Sequence, residues 1–369
     1  MKFNKFFFIK PNRYDIIVID DLHSKLFNIL LKNKKFIVIP IRNSIPIIID
    51  YKFILSLFHL IIKFKFNFKK IKKNYLSLIF KFIKTKKIFT FYENTDRINL
   101  LKKVYPYINF YTFPNGLRVP KYNYKHDNLI SWGSIDLEID KNILSKSNNY
   151  HILGSLRLLN YKELYPSKFV KTIDILYISS FSTITKTDNK NIYSIHKFLR
   201  STELNILKNL SSLNNSKKYR IKILMKNLFN DTYFKKKYLY LKNFFSDKQI
   251  LIKKNYYDSY KFIEKSKVTI SLLSALGLEC LSLNTRVLLG FSLNEFKKLS
   301  KTWDALKYYE KYLNSLICLK LIDTKHIVNK INLLNNLSDK EYLKVIKKSK
   351  YFYSTDPEKQ YFIRTIYEN

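Results

Sequence analysis

Glycine is nearly missing from this chain. It occurs five times in 369 residues, where ordinary usage of about 7% would give several times more. The closely spaced glycines of a phosphate-binding loop or a dinucleotide fingerprint are therefore excluded. The glycines that remain are Gly116, Gly133, Gly154, Gly277 and Gly290. Each is worth reading as a place where the backbone turns or approaches something closely.

Cysteine is equally scarce. Cys280 and Cys318 lie in apolar surroundings, which excludes a disulfide framework and reads as a reduced, intracellular chain. The six histidines have no metal-ligand spacing. The alternation Asp136-Leu137-Glu138-Ile139-Asp140 is the one stretch resembling an aspartate–x–aspartate metal site, and it fits a half-exposed strand better. No metal and no bound cofactor are expected. There is no serine nucleophile elbow. Long apolar runs are missing too. Phe6 to Ile9 is too short for a signal peptide. The stretch from Ile45 to Phe66 is broken by Asp50, Lys52, His59, Lys63 and Lys65, whereas a spanning helix needs about 18 nearly uncharged residues.

Acidic residues are few. Lys and Arg number 68 against 28 Asp and Glu, a net charge of +40. Such a field favours phosphorylated substrates, anionic lipid or nucleic acid. Lys, Asn, Ile, Phe and Tyr dominate, and all have A/T-rich codons, so part of the excess is compositional. Apolar residues make up 46%, enough for real cores. The length suits two domains.

What is present is alternation. Ile16–Ile19, Lys35–Ile41, Lys86–Tyr92 and Asn109–Phe113 read as buried parallel strands, with helices between them. Lys69–Phe82 is amphipathic, with Ile71, Tyr75, Leu78, Ile79 and Phe82 on one face. After Pro166 the pattern restarts, with strands at Thr172–Ser179, Arg220–Met225, Gln249–Ile252, Val268–Leu273 and Arg286–Phe291. We expect an α/β chain of two Rossmann-like domains facing across a cleft: residues 1–165, residues 166–340, and C-terminal helices over 341–369 that cross back to the first domain.

The segment from Val268 to Phe291 carries the strongest signal. A strand ends at Ser274, a good N-cap, and a helix follows. A helix N-terminus favours an anion. Gly277 removes a side chain where a phosphate would approach, and Glu279 is placed to accept hydrogen bonds from ribose hydroxyls.

Ser274-Ala275-Leu276-Gly277-Leu278-Glu279 resembles the serine–x–leucine–glycine–x–glutamate stretch of a family of bacterial surface-carbohydrate biosynthesis proteins, enzymes of O-antigen and lipopolysaccharide assembly with a GT-B-like fold. Other segments match in the same order. Asp20 with Ser24 resembles the family's start, and Glu93-Asn94 an aspartate–asparagine pair. Pro114-Asn115-Gly116-Leu117-Arg118 resembles glutamine–asparagine–glycine–x–arginine, with Pro114 in place of glutamine. Gly154-Ser155-Leu156-Arg157 resembles glycine–serine–x–arginine, and Asp174–Ser179 the first strand of the second half. The resemblance implies a metal-independent glycosyltransferase. Its donor is a nucleotide-sugar co-substrate, and its acceptor a surface polysaccharide or lipopolysaccharide, glycan or lipid-linked.

On that reading Ser274, Leu276, Gly277, Glu279, Lys226, Asn115, Gly116, Arg118 and Arg157 are donor-binding candidates. The arginines suit phosphate because a guanidinium forks onto two oxygens. A base must deprotonate the acceptor hydroxyl. Asp20 and His23, after the first strand, and His126, beside Asp127, are the candidates. The helices between Tyr51 and Lys87 mix Phe, Leu and Ile with many Lys, as membrane-surface helices do. An anionic membrane surface is thus a further expected partner, with a cytoplasmic location peripheral to the inner face of the plasma membrane. The rival reading is a basic, non-enzymatic nucleic-acid- or membrane-binding protein on the same fold. Against nucleic acid, no recognition motif appears and the charge is scattered.

Overall fold

The computed structural model describes residues 5–19, 24–32, 34–40, 44–91, 96–113, 125–133, 146–166, 169–180, 190–228, 234–255, 257–272, 274–283, 285–290, 313–319 and 321–347. The chain divides into two compact units. One comprises Met1–Ser131, Asp140–Leu153 and Pro357–Asn369, and the other Trp132–Ile139 and Gly154–Asp356.

The first unit holds strands β1 (Lys5–Ile9), β2 (Ile16–Ile19), β3 (Phe36–Ile39), β4 (Ser44–Ile48), β5 (Lys87–Thr90), β6 (Asn109–Thr112), β7 (Lys125–Ser131) and β8 (Lys146–Ile152). Six of them form one parallel sheet in the order β3-β2-β5-β6-β7-β8. β1 and β4 form a separate parallel pair. The β-branched run Ile16–Ile19 is buried along its whole length, as an inner parallel strand should be. Helices α1 (Phe27–Leu30), α2 (Tyr51–Lys63), α3 (Phe68–Phe82) and α4 (Asp96–Val104) complete the unit. Asp50 caps α2 by accepting from the amides of Lys52 and Phe53, and Asn67 caps α3 through the amide of Lys70. Ile17, Ile19, Ile88 and Phe110 from the sheet meet Phe53, Leu76, Ile79 and Leu101 from the helices in one core. Phe27, Phe89 and Phe113 form an aromatic cluster, with ring centroids 4.9–5.6 Å apart.

The second unit holds β9 (Ile173–Ser179), β10 (Ile221–Leu228), β11 (Ile250–Lys253), β12 (Ser266–Ser271) and β13 (Arg286–Leu289). These form a parallel sheet in the order β11-β10-β9-β12-β13. Numbered within the unit this is 3-2-1-4-5, the doubly wound arrangement, and its strand order reverses between β9 and β12. The helices are α5 (Leu156–Leu164), α6 (Lys190–Asn215), α7 (Phe234–Lys242), α8 (Asp258–Glu264), α9 (Ala275–Glu279), α10 (Thr324–Asn336) and α11 (Asp339–Val345). At the amino end of β9, Asp174 takes a two-pronged ion pair from Arg220, which precedes β10, and a third contact from Lys267 on β12. Those cations hold its carboxyl far below the usual range, with the Arg220 hydrogen bond the largest influence.

One expected boundary changes here, and two further strands join the first sheet. The units part at Leu153/Gly154, not after residue 165. Helix α5 belongs with the second unit because the Tyr161 ring packs at a tilt against Tyr260, centroids 5.0 Å apart, and its hydroxyl donates a hydrogen bond to Glu264. β7 and β8 are strands that hydrophobic patterning does not reveal, since their sequences, KHDNLIS and KSNNYHI, are largely polar. Their amides satisfy one another instead. The Asn128 Oδ1 accepts from Asn149 at 3.1 Å, and the Asn128 amide donates to the Phe110 carbonyl at 3.3 Å. Of the C-terminal helices expected over 341–369, residues 348–369 lie outside the described residues.

Candidate functional site

In open parallel sheets, ligands bind beyond the carboxyl ends of the strands where the order reverses. In the second unit that place is the end of β9 and β12. Ser271 on β12 is level with Ile178 on β9, so Ser179 and Ser180 emerge beside Leu272 and the turn at Ser274.

Ser274 caps α9 as expected, its Oγ accepting from the Gly277 amide at 3.0 Å. It also lies 3.3 Å from the Ser271 Oγ. Ser274, Ala275 and Leu276 are partly exposed, while Gly277, Leu278 and Glu279 are buried. This divides the motif. Its first turn is open to a ligand and its second is internal.

Gly277 proves to serve packing. A Cβ there would lie 2.3 Å from the Ser271 Oγ and 2.6 Å from the Ser271 Cβ. The missing side chain lets α9 sit against β12; it does not clear a path for phosphate. Glu279 likewise faces inward, with 2% of its surface exposed. Ser155 donates to one carboxylate oxygen and Tyr260 to the other, the latter at 2.8 Å. Burial raises the Glu279 pKa, against the nearby Arg157 charge and the two hydroxyl donors. A carboxylate held this way positions the turn above it and does not offer its oxygens to a ribose.

The structure thus joins two motifs that are distant in sequence. Gly154 enters α5 at φ 95°, a left-handed conformation suited to glycine. Ser155 and Arg157 follow, and both act on Glu279.

A second buried carboxylate lies at the end of β9. Glu203, on α6, accepts through one oxygen from the Ser179 Oγ at 2.6 Å and the Ser180 amide at 2.9 Å, with the Tyr177 hydroxyl at 3.4 Å. Lys237, fully buried on α7, donates to the Ser179 carbonyl at 3.2 Å. Burial again pushes the carboxyl pKa up, opposed by the Ser179 hydroxyl, the Lys237 charge, the Ser180 amide and the Tyr177 hydroxyl. This network fixes the backbone at the switch point, and the Ser180 Oγ is left buried with no hydrogen-bond partner among the described residues. The sequence did carry a signal for Glu203. It falls in a stripe with Ile206, Leu207 and Leu210, where a carboxylate needs a reason.

The other candidates do not gather here. Lys226 is in β10, which runs on to Leu228 instead of ending at Met225; its side chain lies outside what is described. Asn115, Gly116, Arg118, Asp20 and His23 are outside the described residues, as is the Asp136–Asp140 alternation. His126 is the second residue of β7, at that strand's amino end. β2 runs parallel to it in the same sheet and reaches its carboxyl end at Ile19. His126 is therefore at the opposite end of the sheet from that carboxyl edge, which counts against its expected role as the base. A cleft of about 570 Å³ does open near the amino ends of β6, β7 and β8, lined by Asn109, Tyr111, Asn128, Asn149 and the pair Lys102–Asp127, whose N–O distance is 3.3 Å. It is far along the strands from a carboxyl-end site.

No protein-family model and no curated protein matches the chain. Solved structures do. A Listeria monocytogenes protein assigned as a UDP-N-acetylglucosamine 2-epimerase aligns with TM-score 0.53 at 10% identity, over 97% of this chain and 96% of that one. The wall teichoic acid polymerase TagF, soaked with CDPG, aligns with TM-score 0.51 at 13% identity, over 96% and 88%. A second TagF structure gives 0.50 at 12%, over 97% and 89%. At such identities the likeness is one of fold, and the fold is α/β with Rossmann-like parallel sheets of the GT-B kind.

Proposed function

We propose that the chain is a glycosyltransferase-type enzyme that uses a nucleotide-sugar donor without a metal. The observation that carries this is the switch point of the second sheet, where the partly exposed turn Ser274–Leu276 adjoins Ser180 and its unpartnered hydroxyl. The nucleotide diphosphate would sit there, taking hydrogen bonds from Ser180 and the first turn of α9, with Arg157 as nearby positive charge. Glu279 and Glu203 are positioning residues beneath it. The acceptor is a surface-polysaccharide or lipopolysaccharide glycan, free or lipid-linked, at an anionic membrane. The base is assigned to Asp20 or His23, which follow β2 in sequence. The fold likeness to proteins named for teichoic acid polymerisation and UDP-sugar epimerisation agrees with this reading.

A thermal-shift panel of UDP-, GDP-, CMP- and TDP-sugars tests it. One nucleotide class should raise the melting temperature, because a ligand at about 100 times its Kd adds about 2.7 kcal/mol. Ser180→Ala should leave the unliganded melting temperature unchanged and cut the shift at equal ligand concentration. Tight binding to heparin or DNA, with no response to any nucleotide sugar, would overturn the proposal.

A further inference from the structure

Helix α2 has two apolar faces, and only one is covered. Phe53 is fully buried in the core of the first unit, and Leu57 and Leu60 pack against it. Tyr51, Ile54, Leu55, Phe58 and Ile62 lie on the rest of the helix with exposures from 47% to 68%. Their spacing of three, four, seven and eleven residues makes one continuous stripe. It continues into the following turn, where Phe66 and Phe68 are 67% and 80% exposed. That turn has two successive non-glycine residues in the left-handed region, Lys65 at φ 47° and Phe66 at φ 57°, a conformation unfavourable for any residue with a side chain. Single exposed apolar residues are ordinary on protein surfaces; a contiguous stripe marks an interface.

Charge identifies the occupant. From Tyr51 to Tyr92 the chain has eleven lysines and no carboxylate. Lys52, Lys63, Lys65, Lys69, Lys70 and Lys73 are exposed around the stripe. The Lys52 ammonium lies 5.8 Å from the Tyr51 ring centre and the Lys63 ammonium 6.0 Å from that of Phe64, so their stems run along apolar surface while their heads stay near water. A second copy of this chain would bring the same positive charge to the same face and be repelled. Nucleic acid would use the lysines but leave the aliphatic stripe wet. An anionic bilayer satisfies both, taking apolar side chains below its headgroups and lysines among them. At 13 residues, α2 is about 20 Å long, short of the ~30 Å of a hydrocarbon core. Among the described residues no helix is long and apolar enough to cross a membrane.

We infer that α2 and the α2–α3 turn are a docking surface for an anionic lipid bilayer, with the helix lying in the interface and its Tyr51–Ile62 stripe immersed. The inference rests on the transferase reading only for its purpose, which is to bring the site to a lipid-linked acceptor. Flotation of the full chain with phosphatidylglycerol vesicles, and with phosphatidylcholine vesicles, tests it. The wild type should float with the anionic vesicles and far less with the neutral ones. The triple variant Leu55→Ser, Phe58→Ser, Ile62→Ser should lose more than about tenfold in vesicle affinity while melting at the wild-type temperature. Lys52→Gln with Lys63→Gln should lessen the preference for anionic lipid, a second readout that leaves the apolar stripe intact. A wild type that does not float, a triple variant that floats as well as the wild type, or a wild-type dimer dissolved by the triple substitution would each overturn the inference. The nucleotide-sugar shift, measured on the same samples, reports separately on the transferase reading, since a non-floating variant that still responds to its donor leaves that reading standing.

Discussion

At the scale of single residues, the second unit is organised by carboxylates that are buried yet satisfied. Glu279 takes both of its hydrogen bonds from the chain's own hydroxyls. Glu279→Ala would leave Ser155 and Tyr260 without an acceptor and open a void, and should cost about 3 kcal/mol in urea unfolding. Its pH signature has a definite sign. Burial raises the folded pKa, so the folded protein holds this proton more tightly than the unfolded chain does. The stability this contributes is complete below the ordinary glutamate value of about 4.3 and is lost as pH rises through the raised value. Glu279→Gln cannot titrate. The stability gap between wild type and this variant should therefore be widest in acid and narrow toward neutrality. A gap that widens with rising pH would show that the folded site favours the carboxylate. Neither the burial of Glu279 nor its partners could be read from Ser274–Glu279 alone, because Ser155 and Tyr260 come from other segments.

At the scale of elements, the packing of α9 on β12 depends on one missing methyl group. Gly277→Ala brings a Cβ within 2.6 Å of the Ser271 Cβ, which is anchored to the strand backbone and cannot swing aside. The expected loss is about 1–3 kcal/mol by overpacking. Ser271→Gly alone should be mildly destabilising, and the double variant should recover at least about 1 kcal/mol relative to the sum of the single losses. Additive losses would mean that the two elements do not meet at this point. The strands of the second unit were legible because they are short β-branched runs between helical stretches. β1 was not recognised from its aromatic run, and β7 and β8 were hidden by asparagines, which pair across the sheet and so meet the polar requirement that solvent would otherwise meet.

At the scale of the whole molecule, the net charge of +40 is a standing repulsion. Among the described residues the ion pairs are few and mostly at the surface, such as Lys242–Asp247 and Arg286–Asp339, so they relieve little of it. Raising sodium chloride from about 50 to about 300 mM shortens the screening length below about 10 Å and should raise the melting temperature. A fall would mean that local pairs outweigh the global field. If α2 docks on a membrane as inferred, the same field would draw its exposed stripe to an anionic surface, so stability and docking should respond to salt in opposite directions.

Much of this protein was readable before any fold was known. Period-two and β-branched runs announce strands, caps announce helices, and scarcity of glycine and cysteine rules out whole classes of site, because each of these is a local preference of the backbone. The order of strands within a sheet, the inward turn of Glu279, the meeting of Ser155 and Arg157 with it, and the uncovered side of α2 are different in kind. They depend on which distant segments exclude water from one another, and burial is a property of the folded chain. Ser274 is a helix cap on either view. What changed is its neighbour: Gly277 makes room for a strand, and the part of the turn left open to a ligand is the first three residues.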